Sequence, residues 1–292
     1  MRVNAACMAE YFALQAAFFF ATSHILIRRG LVTSNAVTGS FVSLGMTALI
    51  LATAAYFTTP AGAFWQPAVF YFLAAGIFAP GIGRTLTYVG IERIGVARSV
   101  PISNASPMFA SIFAVFLLGE NWKPQNFLGT VLVIAGIAIL SASRGGKSEW
   151  RRADIIFPVI AALAFGISTN LRKVGLTAIN RPFMAAAFTA ATAFLFSASL
   201  LASQGGTKAL KLKRSNAPWF FAAGLANTSA TLSVFHALSY GDVVVVEPLT
   251  SSNPVFSLVM SALFLRDLES ITRRVVLGAL CTVIGTILVV TR

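Results

Sequence analysis

The sequence predicts an all-α membrane protein of ten transmembrane helices, arranged as two inverted five-helix repeats. Composition, the number of long apolar runs and internal repetition carry that expectation. Of the 292 residues, 57% are hydrophobic and 11% charged, where soluble domains carry roughly 25% charged residues. A bilayer core takes about 20 apolar residues per helix, and ten runs of that order follow one another. No segment between them is long enough to fold as a soluble domain.

The spans are expected near Met8–Ile27, Ala36–Tyr56, Pro67–Tyr88, Val96–Leu118 and Phe127–Ser143 in the first half. The second half continues with Asp154–Leu171, Pro182–Leu201, Ala217–Tyr240, Val243–Leu265 and Val275–Val290. Arg2 precedes the first run, as it would in a signal peptide. A counterpart of that run around Phe165–Leu176 marks it as a retained helix. The net charge of +13 comes mostly from Lys and Arg between the spans, the pattern of a membrane protein rather than of a nucleic-acid binder.

Residues 1–146 and 147–292 read as two copies. Ser23 to Leu31 (SHILIRRGL) aligns with Ser168 to Leu176 (STNLRKVGL), and Ala75-Gly76 with Ala223-Gly224. Gly129 and Gly136 match Gly278 and Gly285, each pair on one helical face. Five spans per copy is an odd number, so the second copy must insert upside down relative to the first. Basic residues outside the spans are more numerous on the side opposite the termini, which by the positive-inside rule places the termini outside the cytoplasm.

Two octads sit inside apolar runs, each with prolines six residues apart: Val100 to Pro107 (VPISNASP) and Glu247 to Pro254 (EPLTSSNP). Proline removes a backbone donor and breaks the helix ladder. Inside a bilayer such a break is tolerated where the backbone faces protein or a wet cavity. The same break in corresponding places of two halves points to a transporter binding site.

With these halves, an acidic end to each fourth span (Phe116 to Glu120 and Leu263 to Asp267) and a glycine-spaced fifth span, the chain resembles the EamA family of the drug/metabolite transporter superfamily. The resemblance covers nearly the whole chain and is closer in the first half, since the second replaces Gly119-Glu120 by Arg266-Asp267. It implies a ten-helix secondary transporter of small metabolites in the cell membrane, often of amino acids or their derivatives. It also implies cytoplasmic termini, against the charge count, and both orientations stay open.

Candidate substrate-binding residues are Asn104, Ser106, Asn227, Thr228, Ser252 and Asn253 at mid-span, with Arg84 and Tyr88 four residues apart on one helix face. Ser, Thr and Asn also serve as interhelical glue, worth about 0.6 kcal/mol on average. For Arg84, about 6 Å from the expected span end, snorkelling to the headgroups competes with binding an anion. A buried arginine costs about 2.5–3.5 kcal/mol on insertion scales and so calls for a partner. Coupling and gating candidates are Glu247, His24, His236 and Arg98. Glu247 is the one carboxylate well inside an expected span, and partial burial suits such a group to holding a proton near neutral pH.

Nucleophile elbows, zincin motifs and phosphate-cradling Gly-Lys-Ser/Thr loops do not occur. The two cysteines, Cys7 and Cys281, form neither a disulfide framework nor a metal set. The expectation is therefore a non-enzyme without cofactor or metal, whose partners are a small-molecule substrate, the lipid bilayer and a coupling proton or sodium ion. Energy comes from a gradient or from exchange. A sugar-phosphate or nucleotide-sugar exchanger is the alternative, which would want two convergent cations. A non-transporting membrane scaffold is the rival of another class; it would bury the proline motifs against apolar neighbours.

Overall fold

The computed structural model describes residues 2–106, 108–109, 113, 124–142, 151–179, 181–240, 249–250, 252–268 and 271–290. All regular elements among them are helical. The first half holds α1 (Arg2–Leu31), α2 (Ala36–Thr58), α3 (Val69–Gly76), α4 (Gly83–Ile94), α5 (Val96–Ser103) and α6 (Pro124–Ala142). The second holds α7 (Ile156–Ala178), α8 (Pro182–Ser203), α9 (Ala217–Tyr240), α10 (Asn253–Phe264) and α11 (Arg273–Val290). Among the described residues, five segments are long and apolar enough to cross a bilayer: Cys7–Leu31, Ala36–Thr58, Val69–Ile94, Arg152–Leu176 and Pro182–Ser203. Glu120 and Glu247 lie outside the described residues.

Local chemistry sets the helix ends. Asn35 caps α2, its Oδ1 accepting from the Thr38 amide at 2.9 Å. Pro182 opens α8 at its first turn, where its missing N–H costs nothing. Gly95, at φ 84° and ψ 165°, lets the chain turn from α4 directly into α5.

Three helices outrun the apolar stretches that predict them. The first runs on to Leu31, the third span to Ile94 and the sixth to Ala178. A charged residue ends a hydrophobic run but not the backbone ladder. Arg28, for instance, stays helical and donates from Nη1 to the carbonyls of Ile91 and Glu92, both at 3.0 Å.

One face of the molecule gathers several helix ends. Arg29 pairs with Asp267 at 2.6 Å and Arg93 with Asp154 at 2.9 Å. Glu92 accepts from the Ala36 amide at 3.0 Å, and Asn216 donates to Thr33 Oγ1 at 3.2 Å. The ends of α1, α4 and α10 thus meet the starts of α2, α7 and α9. Helix α1 runs toward this face and α7 runs away from it.

Residues aligned between the two halves meet in reciprocal pairs. Ser23 on α1 donates to the Ala223 carbonyl on α9 at 3.1 Å, and Ser168 on α7 lies 3.0 Å from the Ala75 carbonyl on α3. Gly30 packs against the Phe220 ring and Gly175 against the Phe72 ring, so closely that a Cβ would lie 2.5 and 2.6 Å from a ring carbon. Helices α6 and α11 cross antiparallel with backbones in contact. A Cβ on Gly136 would lie 2.8 Å from the Gly278 oxygen, and one on Gly285 would lie 2.7 Å from the Gly129 oxygen. Small residues permit this approach where lipid gives no hydrophobic drive for helices to associate.

The third span is interrupted. Between α3 and α4 the chain makes a wide turn over Ile77–Ile82, with Ala79 at φ −151° and ψ 126° just before Pro80. This turns the Ala79 carbonyl out of the helix ladder. Ser168 Oγ at 2.9 Å and Arg172 Nη2 at 2.7 Å both donate to it. Arg172, expected beyond the end of the sixth span, instead reaches back into the middle of the third.

Candidate functional site

The proline motifs bring Asn104 and Asn253 face to face. Helix α5 contains Pro101 and ends at Ser103, with Asn104 as its cap residue. Helix α10 starts at Asn253, with Pro254 in its first turn. Asn253 Nδ2 donates to Asn104 Oδ1 at 2.7 Å, and the reverse approach is 3.5 Å. Asn104 Nδ2 also donates to the Val100 carbonyl at 2.9 Å. An amide carries both donors and acceptors, so each asparagine can exchange its partner for a polar ligand. Ser106, two residues on, is half-buried, and Ser252 Oγ donates to the Leu249 carbonyl at 2.6 Å.

A second polar cluster lies beside the first. Asn227 Nδ2 donates to Ser23 Oγ at 2.5 Å and to the Tyr88 hydroxyl at 3.1 Å. Tyr88 OH also lies 3.4 Å from Ser43 Oγ. Four helices, α1, α2, α4 and α9, are tied at this point. Tyr88 is 1% exposed, and its buried hydroxyl needs such a partner. Thr228 extends the cluster, its Oγ1 3.4 Å from Thr47 Oγ1 and donating to the Gly224 carbonyl at 2.9 Å. On the other side Thr87 donates to Ser103 Oγ at 3.2 Å, linking α4 to α5.

Arg84 sits one helical turn before Tyr88. Because the helix continues to Ile94, Arg84 lies ten residues from its end, about 15 Å at 1.5 Å per residue. Arg84 Nη1 and His24 Nδ1 are shielded from solvent and have no hydrogen-bond partner among the described residues.

The remaining candidates separate. Arg98 is buried at the start of α5, with Nη1 3.4 Å from the Ile94 carbonyl. His236 is exposed and packs by its ring against Phe12 and Phe183, with centroids 5.3 and 6.2 Å away. It belongs to the opposite end of α1 from His24. Glu247 falls outside the described residues. Ser23, Ser43, Thr87, Ser168 and Arg172 join these networks without having been expected there. The signal for two of them was present: Ser23 and Ser168 are aligned repeat positions, and Pro80 implies a carbonyl in need of donors.

Comparisons with known proteins agree with this architecture. The putative sugar uptake protein of Lactobacillus johnsonii is 29% identical over 101 residues, 32% of this chain and 35% of that protein. Protein LicB of Haemophilus influenzae is 26% identical over 104 residues, 36% of this chain and 34% of that protein. The chain thus spans about a third of the length of these two relatives. An uncharacterized transporter in the cobO 3' region of Sinorhizobium sp. is 26% identical over 137 residues, 45% of this chain and 95% of that protein. One crystal structure shares the fold over 96% of this chain and 95% of its own, with a TM-score of 0.65 at 16% identity. The sequence pattern of the EamA-like transporter family matches residues 8–142 and again residues 153–291. With both halves matched, the chain belongs to the EamA-like transporter family and is a multi-pass integral membrane protein.

Proposed function

We propose that this protein is a secondary transporter of small polar metabolites, working by alternating access between two inverted five-span halves, residues 1–146 and 147–292. The observation that carries the reading is the Asn253–Asn104 hydrogen bond of 2.7 Å, made between the two proline-interrupted helices, one from each half. Interruptions of this kind place exchangeable polar groups deep within the bilayer, where they would otherwise be costly. The Tyr88–Asn227–Ser23 cluster adds donors and acceptors from three further helices. Rocking of the halves opens this layer to either side in turn, and a metabolite takes over the hydrogen bonds that Asn104, Ser106, Asn227, Thr228, Ser252 and Asn253 otherwise make. Amino acids and related carboxylates are the first substrates to test.

Proteoliposomes with imposed proton and sodium gradients, offered a panel of amino acids, organic acids and sugars, test the reading directly. Asn253→Ala removes the donor to Asn104. Interhelical polar contacts average about 0.6 kcal/mol, so folding and insertion are expected to survive while flux falls tenfold or more. Unchanged flux takes the asparagine pair out of the transport path. Glu247 is the proton-coupling candidate: Glu247→Gln is expected to leave exchange intact but to abolish uptake driven by a pH gradient. A variant that still follows the gradient excludes Glu247 from coupling.

A further inference from the structure

We infer that a crevice between α2 and α8 holds one acyl chain of an anionic phospholipid, with Arg181 placed at its mouth to meet the phosphate. The crevice has a volume of about 230 Å³. Ala52 and Ala55 on α2 and Ala187 and Ala191 on α8 line it, together with the rings of Tyr56, Phe64 and Phe188. The four alanines leave out side-chain volume that larger residues would fill. The Phe64 and Phe188 rings meet edge to face, with centroids 6.0 Å apart. Ala52 and Tyr56 are exposed, so the space opens outward from two helices long and apolar enough to lie against lipid. This assignment does not depend on the transport reading.

The crevice starts just inside the helix ends. Ala55 lies three residues before the end of α2 and Ala187 five after the start of α8, about 5 and 8 Å at 1.5 Å per residue. Tyr56 and its neighbour in the following turn, Trp65, are 77% and 90% exposed, as suits aromatic rings at headgroup level. Arg181 is the cap residue of α8, seven residues before Phe188 and so two turns up the same side of the helix. It is exposed, and so long a side chain reaches the headgroup layer. An arginine has no acceptor, so Arg181 does not cap the first turn of α8, where the helix dipole favours an anion.

These features select the occupant. Apolar cavities stay dry, and one of about 150 Å³ takes up benzene, so this larger one accepts a length of hydrocarbon chain. Apart from the Tyr56 hydroxyl its lining offers no polar side chain, and a water-soluble metabolite would lose its hydrogen bonds there. A flexible chain tethered to a phosphate at headgroup level satisfies both ends at once. The chain fills the gap left by the alanines, and the phosphate meets a guanidinium fork that suits its oxygens. Since α2 belongs to the first half and α8 to the second, the lipid fills a seam between the halves.

Native mass spectrometry of the full chain tests the site. The protein is loaded in detergent with equal amounts of dioleoyl phosphatidylglycerol and dioleoyl phosphatidylcholine, and loosely held lipid is then washed away. One phosphatidylglycerol per chain is expected to remain, favoured about fivefold over phosphatidylcholine, the preference that one cation near a headgroup confers. Arg181→Gln is expected to retain a lipid but to take the two headgroups equally. Lys208→Gln removes an equal charge from an exposed site beyond the far end of α8 and is expected to keep the preference. Ala52→Phe places a ring in the crevice from its exposed rim, and Ala191→Phe does so from α8. Both are expected to elute as monodisperse protein and to lose the retained lipid. Glycerol phosphate, a headgroup without chains, is expected not to displace it. An unchanged preference in Arg181→Gln, retention in both filled variants, or a parent that retains no lipid overturns the assignment. A dimer that forms without lipid and dissociates in Ala52→Phe would give the crevice to a second copy and overturn it equally.

Discussion

Replacing Gly136 with leucine is expected to lower stability by about 3 kcal/mol or more, the upper end of what overpacking costs. A Cβ at this position would lie 2.3 Å from Thr282 Oγ1, 2.7 Å from the Thr282 amide nitrogen and 2.8 Å from the Gly278 oxygen. Two of these three atoms are backbone and cannot rotate away, so α6 and α11 must separate. Separation also parts Gly285 from Gly129, where a Cβ would lie 2.7 Å from the facing oxygen. Gly62 is the control, since nothing lies within 4 Å of a Cβ there. Recovery of monodisperse protein after heating in detergent measures the effect. Equal recovery of Gly136→Leu and Gly62→Ala would mean that this crossing does not hold the helices together.

The second large effect is expected at the interrupted third span. Ser168→Ala combined with Arg172→Gln removes both donors that reach the Ala79 carbonyl at 2.9 and 2.7 Å. A hydrogen bond to a charged group contributes about 1.5–3 kcal/mol, and an unsatisfied carbonyl within a bilayer costs several kcal/mol. Each single substitution leaves one donor in place and is expected to cost about 1–2 kcal/mol. The double variant is expected to exceed the sum of the singles, because only then is the carbonyl orphaned. A double-mutant cycle on unfolding temperature reads this coupling directly. Strict additivity would show that water or a rearranged backbone satisfies the carbonyl instead.

These two sites differ in how visible they are in the amino-acid order. The glycine seam is legible, because Gly129, Gly136, Gly278 and Gly285 recur at the same seven-residue spacing in both halves. The clasp on Ala79 is not, because Pro80 announces a break without saying which helix will supply donors. Arg172 illustrates why. Hydropathy reads a charge as the end of a span, yet α7 continues to Ala178 and the long side chain turns inward. The third span shows the same effect, since its apolar run stops at Tyr88 while the helix goes on to Ile94. Of the mid-span polar residues, Asn104, Asn253, Asn227 and Thr228 were identifiable by type and depth. Their partners were not.

Composition, span lengths and the doubled motifs determined on their own that this is a helical membrane protein of the EamA-like kind, with breaks in particular helices. Those properties are one-dimensional: they depend on what each segment is made of and how often it recurs. Only the tertiary structure decided that Asn253 would meet Asn104, that Asn227 would join Ser23 to Tyr88, and that Ser168 and Arg172 would reach the Ala79 carbonyl. Such pairings depend on the rotation of each helix about its own axis. That rotation is set by contacts between distant segments, such as Gly30 against Phe220 and Gly136 against Gly278.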